Sequence, residues 1–141
     1  MEILGKYLII DTSVLVSMLI KEDTNHELAV KFIDGLTDKN IIILPPLSVF
    51  EIAVTLSKMN YDTDMIETKI ISILKKFKTI VCQLNDLQFI KNLELLKNNK
   101  YIRTHDFYLL QTAIQFEVPI YTFDKKFVEH GSKIYKDIIL L

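Results

Sequence analysis

Tyr7-Leu8-Ile9-Ile10-Asp11-Thr12-Ser13-Val14-Leu15 carries four apolar residues into a single carboxylate and then into a second apolar stretch. Lacking polar alternation, Tyr7 to Ile10 reads as a strand buried on both faces, as in a parallel sheet covered by helices. Helix is predicted from about Thr12 to Ile20, and another, capped by Thr24 or Asn25, to about Leu36. The run Ile41-Ile42-Ile43-Leu44 is a second buried strand, stopped by Pro45-Pro46. After it, Val49, Ile52, Ala53 and Leu56 fall on one helical face. Asp62 or Thr63 caps a helix whose stripe is Ile66, Ile70, Ile73, Leu74 and Phe77. Thr79 to Cys82 is a third strand, and Asp86 opens a helix to about Asn98. A further helix spans roughly Thr104 to Phe116. Pro119 to Phe123 is a fourth strand, and Lys133 to Tyr135 a weak fifth. Strands alternating with helices predict an α/β fold: three α/β/α layers around a mainly parallel sheet of four to five strands.

Composition sets the bounds. The 141 residues are expected to form one domain, and with half of them hydrophobic the chain is long and apolar enough to fold. A lone cysteine, Cys82, permits no internal disulfide and suits a reducing cytoplasm. Histidine and cysteine spacing gives no structural zinc site. The apolar stretch from Tyr7 to Ile20 is too short to span a membrane and holds Asp11 in its middle, so a soluble, cytoplasmic protein is expected. A net charge of −1 excludes a whole-molecule positive field, and any polyanion must be met by a local patch.

Four carboxylates stand out against this apolar background. Asp11 and Asp124 close the first and fourth strands, where open parallel sheets bind ligands. Asp106 shares a helical face with Leu109, Leu110 and Ala113, and Glu51 lies at the margin of its helix's apolar face. Two carboxylates about 4 Å apart repel by roughly 4 kcal/mol at an effective dielectric near 20. A converging set must bind cations, take up protons or stay apart, and bound cations would be hard ones such as Mg²⁺ or Mn²⁺. Asp11 and Asp106 also suit helix caps, and residue chemistry leaves the two readings level.

The spelling of these segments separates them. Leu8-Ile9-Ile10-Asp11-Thr12-Ser13-Val14-Leu15 resembles the opening of PIN-domain ribonucleases, particularly the VapC-like toxins of toxin–antitoxin pairs. Leu47-Ser48-Val49-Phe50-Glu51-Ile52-Ala53 resembles their second motif. Asp106-Phe107-Tyr108-Leu109-Leu110-Gln111-Thr112-Ala113 is similar to the third, although bulky Phe107 and Tyr108 stand where smaller residues are frequent. Val118-Pro119-Ile120-Tyr121-Thr122-Phe123-Asp124-Lys125-Lys126-Phe127 is similar to the fourth. The resemblance implies a metal-dependent endoribonuclease in which Asp11, Glu51, Asp106 and Asp124 hold one or two Mg²⁺ or Mn²⁺ ions. It further implies cleavage leaving a 5′-phosphate and a 3′-hydroxyl. Thr12, Ser13 and Thr122 match hydroxyl positions that orient carboxylates or water. An antitoxin partner and a homodimer are implied too, the latter burying apolar surface near the Glu51 helix and the stripe from Ile66 to Phe77. A housekeeping RNA-processing role and a catalytically silent binding module are the alternatives; the latter would have lost a key acid, and none is missing.

Basic residues are unevenly spread. Lys69 to Arg103 holds eight of them against Asp86 and Glu94, a segment of net charge +6. Lys97, Lys100 and Arg103 lead directly into Asp106 and are the candidates for RNA contact, against the ordinary fate of lysines as a solvated face. His105 abuts Asp106 as a possible proton donor or phosphate contact, although a polar helix-start residue is the commoner role there. Phosphatase and receiver-type readings fail because Asp11 has no second acid nearby. Nucleotide-binding folds fail for want of a glycine-rich phosphate loop.

Overall fold

A computed structural model describes residues 5–81 and 84–141, so the strand end expected at Cys82 lies outside the described residues. Strand β1 (Tyr7–Ile10) leads into helix α1 (Thr12–Leu19), then α2 (His26–Asp34) and β2 (Ile41–Leu44). Helices α3 (Pro46–Lys58) and α4 (Thr63–Lys76), strand β3 (Thr79–Val81) and helix α5 (Asp86–Asn92) follow. After α5 the chain tightens into a 3₁₀ helix over Leu93–Asn98, where a continuous α-helix was expected. Helix α6 (Thr104–Phe116), strand β4 (Ile120–Thr122), helix α7 (Lys125–Gly131) and strand β5 (Ile138–Leu140) complete the order.

All four strand pairings are parallel and the sheet runs β3-β2-β1-β4-β5. β1 is central: Ile9 pairs with Ile43 on one side and Ile120 on the other. Because side chains alternate along a strand, β1 feeds two cores. Leu8 and Ile10 join Val14, Phe32, Ile52 and Ile73 from α1 to α4, whereas Ile9 joins Leu109, Leu110, Ala113 and Phe127 from α6 and α7. This two-sided burial is why the strands read as unbroken apolar runs.

The fifth strand lies later than expected. Ile134 and Tyr135 pack against the second core, which gives them a strand-like spelling. Their amides, however, both bond the Gly131 carbonyl, at 2.8 and 2.9 Å, closing a turn after α7. The pairing segment is Ile138–Leu140, in register with Ile120–Thr122. The stripe on α4 is mostly internal, with Ile73 buried and Ile66, Ile70 and Phe77 packed on the core. Among the described residues no helix is long and apolar enough to cross a membrane.

The chain winds outward from β1 through β2 to β3, then returns to place β4 on the other side. Beyond the carboxyl ends of β1 and β4 the connections therefore diverge, leaving a crevice at the topological switch point.

Candidate active site

That crevice is a cavity of about 550 Å³, and Asp11, Glu51, Asp106 and Asp124 all line it. Each arrives from a different element. Asp11 follows β1 as the N-cap residue of α1, yet its side chain caps nothing. Its carboxylate is instead held by hydroxyls: Ser13 Oγ and Thr122 Oγ1 each donate to Oδ2 at 2.7 Å. Thr122 is fully buried on β4, so this bond ties the ends of two neighbouring strands together. Ser13 Oγ also accepts from the Phe123 amide at 3.3 Å, and Thr122 Oγ1 from the Asp124 amide at 2.9 Å.

The capping role that the sequence offered to Asp11 and Asp106 falls instead to Asp124, which also faces the cluster. Its Oδ1 caps α7, accepting from the amides of Lys126 at 2.9 Å and Phe127 at 3.0 Å, while Oδ2 faces the cluster and meets Arg103. Burial raises its pKa, but those amides and the Arg103 charge more than offset it and hold the carboxyl below the usual range. Asp106 sits in the first turn of α6 and is buried. Arg103 grips it with a two-pronged contact, Nε to Oδ2 at 2.9 Å and one terminal nitrogen to Oδ1 at 3.1 Å. Even so, burial keeps the Asp106 carboxyl above its ordinary value.

Glu51 projects from α3 towards His105. The imidazole Nδ1 lies 2.8 Å from Glu51 Oε2 and 4.0 Å from Asp11 Oδ1. Glu51 Oε2 is buried, and its near neighbour is this ring nitrogen, which approaches closely but without the alignment of a regular hydrogen bond. Burial pushes the Glu51 carboxyl up, yet His105, the Thr12 hydroxyl and the Arg103 charge together bring it below the usual range. On the other ring edge, His105 Nε2 lies 3.4 Å from the hydroxyls of Thr12 and Ser48. His105 is thus the hub joining the β1–α1 junction, α3 and α6. Its adjacency to Asp106 was the one sequence signal for it, and the hydroxyl of Ser48 gave none.

Of the basic candidates, Arg103 reaches the cavity, and Lys125 and Lys126 line it. Lys97 instead lines a separate surface hollow with Asn98, Asn99 and Lys133. Lys100 is exposed and lies outside the cavity lining. Two lysines of the basic segment have structural partners. Lys69 Nζ donates to the Leu19 carbonyl at 2.9 Å and sits over the Tyr61 ring, and Lys76 pairs with Asp34 at 3.2 Å.

In kind, the donors suit a hard divalent cation: the four expected carboxylates, a fifth at Asp23 on the same lining, flanking hydroxyls, and a buried Glu51 oxygen lacking an aligned donor. In placing, among the described residues no three acidic, histidine or cysteine side chains converge as a ready metal cage. The Arg103 guanidinium bridges Asp106 and Asp124.

Solved structures share this architecture. Mycobacterium tuberculosis VapC20, described as a Sarcin-Ricin loop cleaving toxin, matches with TM-score 0.70 at 15% identity, over 88% of this chain and 95% of that one. A toxin–antitoxin complex from Klebsiella pneumoniae matches with TM-score 0.63 at 17% identity, over 94% and 95%. No curated protein matches by sequence. At such identities the structural likeness speaks for the fold alone. The family model for the PIN domain matches residues 8–133, a span that takes in Asp11, Glu51, Asp106 and Asp124, and by it the chain belongs to the PIN domain family.

Proposed function

We propose that this chain is a metal-dependent endoribonuclease hydrolysing RNA phosphodiester bonds, acting as the toxin of a toxin–antitoxin pair. The observation that carries this reading is the convergence of Asp11, Glu51, Asp106 and Asp124 on one cavity at the switch point of the sheet. Scattered surface acids would have no reason to meet there, since their mutual repulsion opposes it. The toxin role is supported by the likeness to one solved structure described as a toxin and another described as a toxin–antitoxin complex, and the second supports an antitoxin partner.

Asp11, Glu51, Asp106 and Asp124 would hold one or two Mg²⁺ or Mn²⁺ ions. Such an ion, when bound, polarises the scissile phosphate and activates water. The chain's own groups prepare the place. Ser13 and Thr122 fix Asp11 by Oδ2, leaving Oδ1 towards His105 and the cavity. His105 holds Glu51 in reach from the opposite wall. Lys125 and Lys126 supply positive charge on the rim for an RNA strand.

Single-turnover cleavage of a labelled single-stranded RNA tests the reading. Cleavage should require Mg²⁺ or Mn²⁺, stop with chelator, and fall on the order of a hundredfold or more in Asp11→Asn and Asp124→Asn. Undiminished cleavage by both variants would assign the activity to another centre. In cells, expression of the wild-type chain should arrest growth, and Asp11→Asn should relieve the arrest.

A further inference from the structure

We infer that Arg103 is the resident counter-ion of the carboxylate cluster and that a divalent ion enters the Asp106–Asp124 half of the site only as Arg103 leaves. The inference rests on the metal-dependent reading above and adds a specific group that competes with the metal.

The geometry is that of a substitute cation. The Arg103 fork takes both oxygens of Asp106, and the same terminal nitrogen that meets Asp106 Oδ1 also meets Asp124 Oδ2. One positive group therefore bridges two acids from different elements, as a shared ion would. No carboxylate oxygen of Asp106 is left unengaged, and Asp124 keeps none either, because its Oδ1 caps α7. The guanidinium thus already fills the place of a cation in a cavity lined by five acids, where among the described residues no three acidic, histidine or cysteine side chains converge as a metal cage.

Arg103 is also built to leave. It stands at the N-cap position of α6 in extended backbone conformation, and its side chain makes no capping bond. Its side chain is 65% exposed, against 7% for that of Asp106. Solvent can therefore take up the guanidinium without repacking the core, whereas the buried Asp106 carboxylate needs another cation in its place. The expected event is an exchange of cations. The Asp11–Glu51 half, held by Ser13, Thr122 and His105, has no hydrogen bond to the guanidinium and stays set. Once free, a planar fork beside the cavity matches a phosphodiester's paired oxygens. Metal and RNA phosphate then favour the same released conformer, so each should tighten the other's binding.

Calorimetric titration of Mn²⁺ into the wild-type chain and Arg103→Gln, without RNA, tests this. Gln retains a donor for Asp106 but no charge. It should bind Mn²⁺ about tenfold more tightly, the equivalent of about 1.4 kcal/mol. Equal or weaker affinity in the variant would overturn the exchange and make Arg103 a fixed positioning group, leaving the metal-dependent reading standing. Absence of Mn²⁺ binding by both proteins would overturn the exchange and that reading together. The Arg103 Nε–H resonance of the wild-type chain is an independent readout that needs no variant. It should be sharp and protected in chelator and should lose its protection on saturation with Mg²⁺. Protection that persists at saturating Mg²⁺ would overturn the exchange.

Discussion

Burial raises the Asp106 carboxyl above the usual aspartate range; Arg103 opposes the rise, and the nearby charges of Asp11 and Asp124 add to it. A carboxyl whose folded pKa exceeds its unfolded one binds protons more readily when folded. Its stabilising contribution is complete below the ordinary aspartate value and is lost as pH rises through the raised folded value. Glu51 and Asp124 behave in the opposite sense: their pKa values are lowered, so their contribution is present above the ordinary range and lost as pH falls through it. At neutral pH without metal, Asp106 is accordingly the acid whose charge opposes folding. Asp106→Asn, melted in chelator, should be more stable than the wild-type chain at pH 7, with the gap closing as the pH approaches about 4. A variant less stable at pH 7 would show that the pair with Arg103 outweighs burial. The placement of the four acids was legible in the sequence because Asp11 and Asp124 close apolar runs and Asp106 and Glu51 interrupt apolar helical stretches near their starts. The roles of Arg103 and His105 were not, because they arise where β1, α3, α6 and the β4–α7 junction meet. In sequence, Arg103 was a candidate for RNA contact at the end of a lysine-rich run, and His105 a candidate proton donor or phosphate contact weighed against an ordinary helix-start residue.

At the scale of elements, long buried runs announced themselves and short ones did not. β1, β2 and β4 are flanked by residues that stop them clearly: Asp11, Pro45 and Asp124. Helix α7 has seven residues and opens with Lys125 and Lys126, so no apolar stripe preceded Phe127 to reveal it. Ile134 and Tyr135 borrowed the spelling of a strand because they too pack inward. Helix α6 shows a different compromise. It ends on Glu117 in the left-handed region, φ 53° and ψ 50°, so that the Val118 amide can reach back to the Ala113 carbonyl at 3.2 Å before β4 begins. That conformation costs a side-chain-bearing residue roughly 1–2 kcal/mol, and glycine adopts it freely at this position. Glu117→Gly should therefore stabilise the chain by about 0.5–1 kcal/mol in urea melts, once the extra entropy of the unfolded glycine is subtracted. Since β4 carries Thr122 towards Asp11, RNA cleavage by this variant should match the wild type. A stability loss would mean that the Glu117 side chain does more than close the helix.

For the molecule as a whole, the distribution of apolar surface bears on assembly. Much of the α4 stripe that the sequence offered to a partner is taken up by the core, with Ile66, Ile70, Ile73 and Phe77 directed inward. What remains outside lies largely on other faces. On α3, Phe50 is 67% exposed and Val54 52%, four residues apart and so on one side of the helix. On α5, Leu87 is 71% exposed and Ile90 59%. Large apolar side chains exposed in pairs at helical spacing are a mark of surfaces that bury against another protein. Phe50 adjoins Glu51 in the chain, so an interface built on α3 would stand close to the carboxylate cavity and help to fix its wall. We propose a homodimer through α3. Light scattering on the isolated chain at micromolar concentration should then give about twice the 16.4 kDa chain mass. Phe50→Glu combined with Val54→Glu should return it to the single-chain mass, because like charges facing each other across a two-fold interface repel. Both side chains already face solvent, so the double variant should keep the fold, with unchanged far-ultraviolet circular dichroism. A wild-type chain that scatters at the monomer mass would reject the dimer.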